Sequence, residues 1–210
     1  MAYRRTPKIE ARMAQTRARI LGAAQSLLAE GGYAVAGMPA VAARAGVSTG
    51  LIYRYFESKS DLFDQVFRYA AQHEIDICAQ AARHPGPARE RVARVAETFS
   101  RRALKGWRLA YALLAEPVDR TIESDRLHFR APYRAIFAAI IRDGVAAGEI
   151  APQDEELLAT AIVGAIAETL VGPLSRRPRP EQEEALVEGV KRFCVQALGP
   201  PPPIETATGG

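Results

Sequence analysis

The stretch Val41–Phe63, VAARAGVSTGLIYRYFESKSDLF, decides how the chain is organised. Small and apolar residues keep helical spacing up to Ala45, break at Gly46 and resume after Ser48. Gly46 suits the left-handed residue that ends one helix. Ser48 suits the cap of the next, with its hydroxyl and the free N–H groups offered to a phosphate. Ile52 and Phe56, four apart, share the inward face, whereas Thr49, Gly50, Tyr53 and Arg54 fall on the other side. Two short helices joined at Ala45-Gly46-Val47 are what a helix-turn-helix requires, with Thr49 to Tyr55 as the reading helix. Glu57-Ser58 interrupts the pattern. Ser58 and Asp61 then suit the first turn of a long helix from Lys59 towards Ala82, striped by Leu62, Phe63, Val66, Phe67 and Ala70.

Working outward, Ala11 to Glu30 reads as a first helix stopped by Gly31-Gly32, and Met38-Pro39 opens the second. Residues 1–10, polar and basic with Pro7, read as a disordered arm. Downstream, His84-Pro85-Gly86-Pro87 ends the long helix. Helical patterns follow over Arg89–Leu104, Trp107–Glu116, Ile122–Ala147, Asp154–Leu174 and Glu181–Leu198, and Pro132 should kink or split the third of these. From Gly199 on the proline run reads as a disordered tail. The expected fold is all-α: a three-helix helix-turn-helix domain with a basic arm over residues 1–57, a larger helical domain over 58–199, and a tail over 200–210.

Charge supports that division. The first 60 residues hold nine basic and three acidic side chains, a surplus of +6, while the remainder holds 19 and 21, or −2. A basic module on a near-neutral body suits a polyanion partner for the module alone. No run of 18 apolar residues stands in the 210, so no membrane span is expected. Cys78 and Cys194 form no CxxC and read as free thiols of a cytoplasmic protein. His73, His84 and His128 share no metal-ligand spacing. No glycine-rich phosphate loop or catalytic triad order appears, so neither a metal, a cofactor nor an enzymatic role is expected.

From about Arg17 to Phe67 the chain resembles the TetR family of bacterial transcriptional regulators. The resemblance rests on a first helix ending in EGGY and on AVAARAGVSTGLIYRYFESKSDLFDQVF. It implies that the N-terminal helix-turn-helix domain binds a double-stranded DNA operator, and that the larger domain over 58–199 is the ligand-binding and dimerisation domain and takes a small-molecule inducer. Matched onto this sequence, Ser48 and Thr49 would meet backbone or base edges, with Gly50 beside them. Tyr53, Tyr55 and Lys59 would meet phosphates. Arg44 and Arg54 would meet a base edge or a phosphate. Many members carry a hydroxyl pair where Ala36 and Gly37 stand, and Leu51 replaces a common hydroxyl residue, so a thymine methyl is its natural partner.

The ligand site is read from the middle helices. Phe99, Trp107, Tyr111, Leu114, Phe129, Tyr133 and Phe137 exceed what a small helical core needs, with Arg108, His128 and Glu168 as polar members. An apolar or aromatic inducer follows, with repression as the outcome implied by the resemblance. Leu157–Val171 is apolar around most of its circumference and carries Ala161, Gly164, Ala165 and Ala167. A homodimer through the last two helices would cover it. The competing expectation is a helical small-molecule-binding protein or enzyme that does not read DNA.

Overall fold

The computed structural model describes residues 7–118, 120–176 and 179–200, and every regular element among them is an α-helix. In chain order these are α1 (Pro7–Gly31), α2 (Met38–Ala45), α3 (Thr49–Ile52), α4 (Lys59–Ala82), α5 (Ala88–Lys105), α6 (Trp107–Leu114), α7 (Arg120–Ala146), α8 (Glu155–Leu174) and α9 (Pro180–Gln196). The all-α expectation holds.

Three boundaries differ from the sequence reading. Helix α1 starts at Pro7 rather than Ala11: proline's fixed φ suits a first helical turn, and Glu10 in that turn complements the helix dipole. Arg4, Arg5 and the tail from residue 201 lie outside the described residues. Helix α7 is unbroken through Pro132, so the split does not occur. Gly199 is not the start of a loose tail, because its carbonyl accepts from the Arg89 guanidinium.

The chain forms two compact units. One holds the chain to Ala71 together with Arg108–Arg126; the other holds Gln72–Trp107 and the chain from Leu127 on. The first unit therefore takes in half of α4, most of α6 and the start of α7. Its core is Ile20, Ala24, Leu28, Val41, Ile52, Phe56, Leu62, Phe63 and Phe67, each essentially without solvent contact. Full burial of such a side chain contributes about 1.5–3 kcal/mol.

In the second unit α5 packs on α9 and α8, and its Val92, Val95 and Ala96 are buried. Arg101 bridges from α5 to Glu184 of α9 with two bonds of 2.7 Å. Asp154 caps α8 by accepting from the Leu157 N–H at 2.9 Å. With 20 residues, 18 of them in a stretch of mean hydropathy 1.8, α8 has the length and composition of a membrane-crossing helix. Thr160, Glu168 and Thr169 interrupt its apolar run, which is why the sequence shows no such stretch. Ala159, Ile162, Ile166 and Leu170 of α8 are buried, as in a core helix.

Candidate nucleic-acid interface and ligand site

The turn between α2 and α3 is built as the sequence indicates. Gly46 lies at φ 64°, ψ 42°, and its N–H bonds the Ala43 carbonyl at 3.2 Å while the Val47 N–H reaches Ala42 at 3.0 Å. Arg19 adds a charge at this end of α2, donating to the Ala45 carbonyl at 2.6 Å. Ser48 is extended (φ −77°, ψ 149°) and its hydroxyl accepts from the Leu51 N–H at 3.2 Å. Helix α3 ends at Ile52 instead of Tyr55. The Tyr55 N–H turns back three residues to Ile52 at 2.8 Å, a tightening that ends the α-helical ladder. Ser58 and Asp61 form a reciprocal cap on α4: the Asp61 N–H donates to the Ser58 hydroxyl at 3.0 Å, and the Glu57 N–H donates to the Asp61 carboxylate at 2.9 Å.

The candidate DNA contacts divide into outward and engaged groups. Tyr53 is 52% exposed, and Ser48, Gly50 and Arg54 are exposed beside it. Thr49 and Tyr55 are half-buried. Arg44 is exposed but turned onto α1, where it holds Glu30 in a two-pronged pair at 2.7 and 2.8 Å and donates to Ser26 at 2.8 Å. The Arg44 hydrogen bonds to Glu30, with a further one from the Ser26 hydroxyl, hold the Glu30 carboxyl down at about 2. Lys59 donates to the Tyr33 carbonyl at 2.9 Å and lies 4.1 Å from the centre of the Tyr33 ring. Two of the eight candidates thus already hold the reading unit together.

The ligand candidates fall in both units. In the second, Phe99 of α5 meets Tyr133 of α7 edge to face, with centroids 5.2 Å apart and planes at 88°. Phe137 is 2% exposed core, and Trp107 and Phe129 are half-buried. His128 and Glu168 are exposed instead of forming the polar lining of an interior pocket. Both lie on outward faces of their helices, which spacing alone did not reveal. Arg108, Tyr111 and Leu114 belong to the first unit and are half-buried there.

The polar group that the sequence reading missed is Arg102. It pairs with Glu74 of α4 at 2.5 and 2.8 Å, one turn along α5 from Phe99. Burial pushes the neighbouring Cys78 thiol up to about 12 and raises the Tyr133 phenol above its ordinary value; the negative charge of Glu74 adds to both effects. An aromatic pair beside a half-buried ion pair can take an apolar chain and bond its polar end.

A short recognition helix capped by serine, an outward tyrosine and arginine, and a surplus of basic residues in the first 60 define a helix-turn-helix DNA-binding regulator. Residues 20–66 match the model of the bacterial regulatory proteins of the tetR family. It is 38% identical over 82 residues to the HTH-type transcriptional repressor BepR of Brucella suis biovar 1 (strain 1330), a match spanning 38% of this chain and 39% of that protein. It is 27% identical over 155 residues, 72% of this chain and 80% of the relative, to the fatty acid metabolism regulator protein of Bacillus subtilis (strain 168). Its fold is similar to the crystal structure of the transcriptional regulator FadR from Bacillus subtilis in complex with stearoyl-CoA. That likeness has a TM-score of 0.71 at 24% identity, over 85% of this chain and 97% of the other. These relatives are regulators of transcription, not enzymes.

Proposed function

We propose that this chain is a cytoplasmic repressor that binds its operator as a homodimer and leaves it when an apolar, acyl-chain compound binds the larger helical unit. The observation that carries the ligand class is the Phe99–Tyr133 pair set beside the Arg102–Glu74 ion pair. An aliphatic chain gains from apolar burial along the aromatic side, while an ester or thioester carbonyl accepts from the guanidinium or the phenol. The relatives named for fatty acid metabolism and for a complex with stearoyl-CoA support the same class.

The dimer reading rests on the outer faces of α8 and α9. Leu157 and Ala161 are exposed, and Gly164 follows on the same stripe of α8. Ala185, Gly189 and Phe193 form a matching stripe on α9, with Phe193 50% exposed. A Cβ added at Gly164 or Gly189 would meet nothing, so both backbones are open to close approach by a second copy.

The test is retardation of a duplex from the protein's own upstream region, with added stearoyl-CoA, a neutral acyl ester or an aromatic compound. The acyl compounds should weaken binding about tenfold or more, in the range of ordinary allosteric coupling. If the aromatic compound releases the duplex and the acyl compounds do not, the acyl-chain reading is wrong. If none of the three changes retardation, the inducer class is wrong altogether.

A further inference from the structure

The turn joining α1 to α2 is gripped by groups outside both helices. Besides the Lys59 contact on its carbonyl, Tyr33 donates its N–H to both carboxylate oxygens of Glu116, at 3.1 and 3.0 Å. The Tyr33 ring is buried, edge-on to Phe63 with centroids 5.2 Å apart. Gly32 has φ +78°, and a Cβ built there would stand 2.5 Å from Glu116 Oε1. The carboxylate therefore closes over a position that only glycine fills without strain.

Glu116 is itself held firmly. It follows α6, and its N–H bonds the Tyr111 carbonyl at 3.0 Å. Arg126, 7% exposed on α7, donates to the carbonyls of Glu116 and Ala112, the latter at 2.8 Å, and meets Glu123 at 2.5 Å. The end of α6 and the start of α7 are thus pinned together, and one carboxylate projects from the joint onto the turn that leads into α2. All of these residues belong to the first unit, yet α6 begins at Trp107 and α7 continues past Leu127, both in the second.

We propose that Glu116 is a positioning residue for DNA binding: it fixes the α1–α2 turn, and with it the placement of α2 and α3, from the α6–α7 joint. The same contact carries ligand occupancy to the reading helices, a part that rests on the proposed release by an acyl compound. At 3.1 and 3.0 Å the two bonds stand within about half an ångström of the separation at which an N–H···O contact is no longer a hydrogen bond, so a small shift of the joint opens the latch. The turn then loses its carboxylate clamp while the Lys59 and Phe63 contacts stay.

The experiment compares wild type, Glu116→Ala and Glu116→Gln on a duplex enriched from a random pool by the wild-type protein. Thermal melting and exchange of the Tyr33 amide are followed alongside. The glutamine keeps an acceptor oxygen for the Tyr33 N–H; the alanine does not. E116A should bind about tenfold or more weakly with an unchanged helical signal, while E116Q stays within about threefold of wild type. Wild-type affinity in a folded E116A overturns the proposal. Should E116A fail to fold, Glu116→Asp decides it, because its carboxylate is drawn back by one methylene from the Tyr33 N–H: faster Tyr33 exchange with a matching loss of affinity supports the latch, and wild-type affinity overturns it. Stearoyl-CoA is then added to wild type and E116A. Release of wild type alone supports transmission through Glu116, and equal fold-release of both refutes it. Release of neither removes the acyl reading and leaves the affinity comparison to decide the positioning role.

Discussion

Two arginines of the reading unit look alike in the sequence and differ in what surrounds them. Arg44 spends its guanidinium on Glu30 and Ser26, whereas Arg54 stands exposed beside Tyr53. A paired cation adds little net positive charge at the DNA surface, so we propose Arg54 as the phosphate contact of the two. Arg54→Ala should weaken specific and random duplex alike and make the slope of log affinity against log salt shallower by about 0.9, as loss of one phosphate contact does. Arg44→Ala should leave that slope unchanged. Fluorescence anisotropy over a salt series decides: an unchanged slope for Arg54→Ala with lost discrimination among sequences makes Arg54 a base contact. Arg44 instead shows in stability against pH. The Glu30 carboxyl is held at about 2, below its ordinary 4.5, so the pair stabilises the fold above 4.5 and that contribution fades as pH falls towards 2. The gap in melting temperature between wild type and Arg44→Ala should close over that interval. A gap that persists at the acid end would mean Arg44 acts through packing.

At the scale of the elements, what the sequence made legible was local. The turn at Gly46, the Ser48 cap and the Ser58–Asp61 box each depend on residues within four positions, where spacing and side-chain chemistry suffice. The contacts that give Lys59, Arg102 and Glu116 their roles join residues 26, 28 and 83 positions apart, and no periodicity encodes such pairs. Helix α3 was over-extended for a related reason. Tyr53-Arg54-Tyr55 continues a helical pattern, but the bond from Tyr55 to Ile52 closes the ladder early. Among the local features Gly46 is the one a single methyl group tests. A Cβ there meets only Arg19 Nη2, at 3.6 Å, so space is available and the cost is backbone strain alone. Gly46→Ala should destabilise by about 1–2 kcal/mol, the cost of a left-handed non-glycine residue, with proportionate loss of DNA affinity. Chemical denaturation measures it, and wild-type stability would show that the turn relaxes out of the left-handed region at no cost.

At the scale of the whole molecule the limiting quantity is the size of one reading surface. Helix α3 has four residues, enough to place a few side chains at base edges but too few for operator affinity from a single copy. Two copies must then present their reading helices to half-sites about 34–36 Å apart or a multiple of that, and the interface sets the spacing. Leu157 on α8 and Phe193 on α9 are 67% and 50% exposed, so replacing them disturbs no interior packing of one chain. Their small neighbours Ala161, Gly164, Ala185 and Gly189 leave each stripe open to close approach, which suits the proposed two-fold interface. The double variant Leu157→Arg, Phe193→Arg should therefore keep its helical signal and melt cooperatively while running as a monomer by light scattering. Two arginines on each copy, facing their symmetry mates, would leave charges buried against apolar surface. Specific DNA affinity should fall by at least about a hundredfold, because the second half-site contributes a comparable free energy to the first and is lost entirely. Phosphate binding by each separate head persists, so weak retardation at low salt should remain and vanish as salt rises. A double variant that is still dimeric places the interface elsewhere on the chain. A monomeric one with undiminished operator affinity breaks the link between dimerisation and reading.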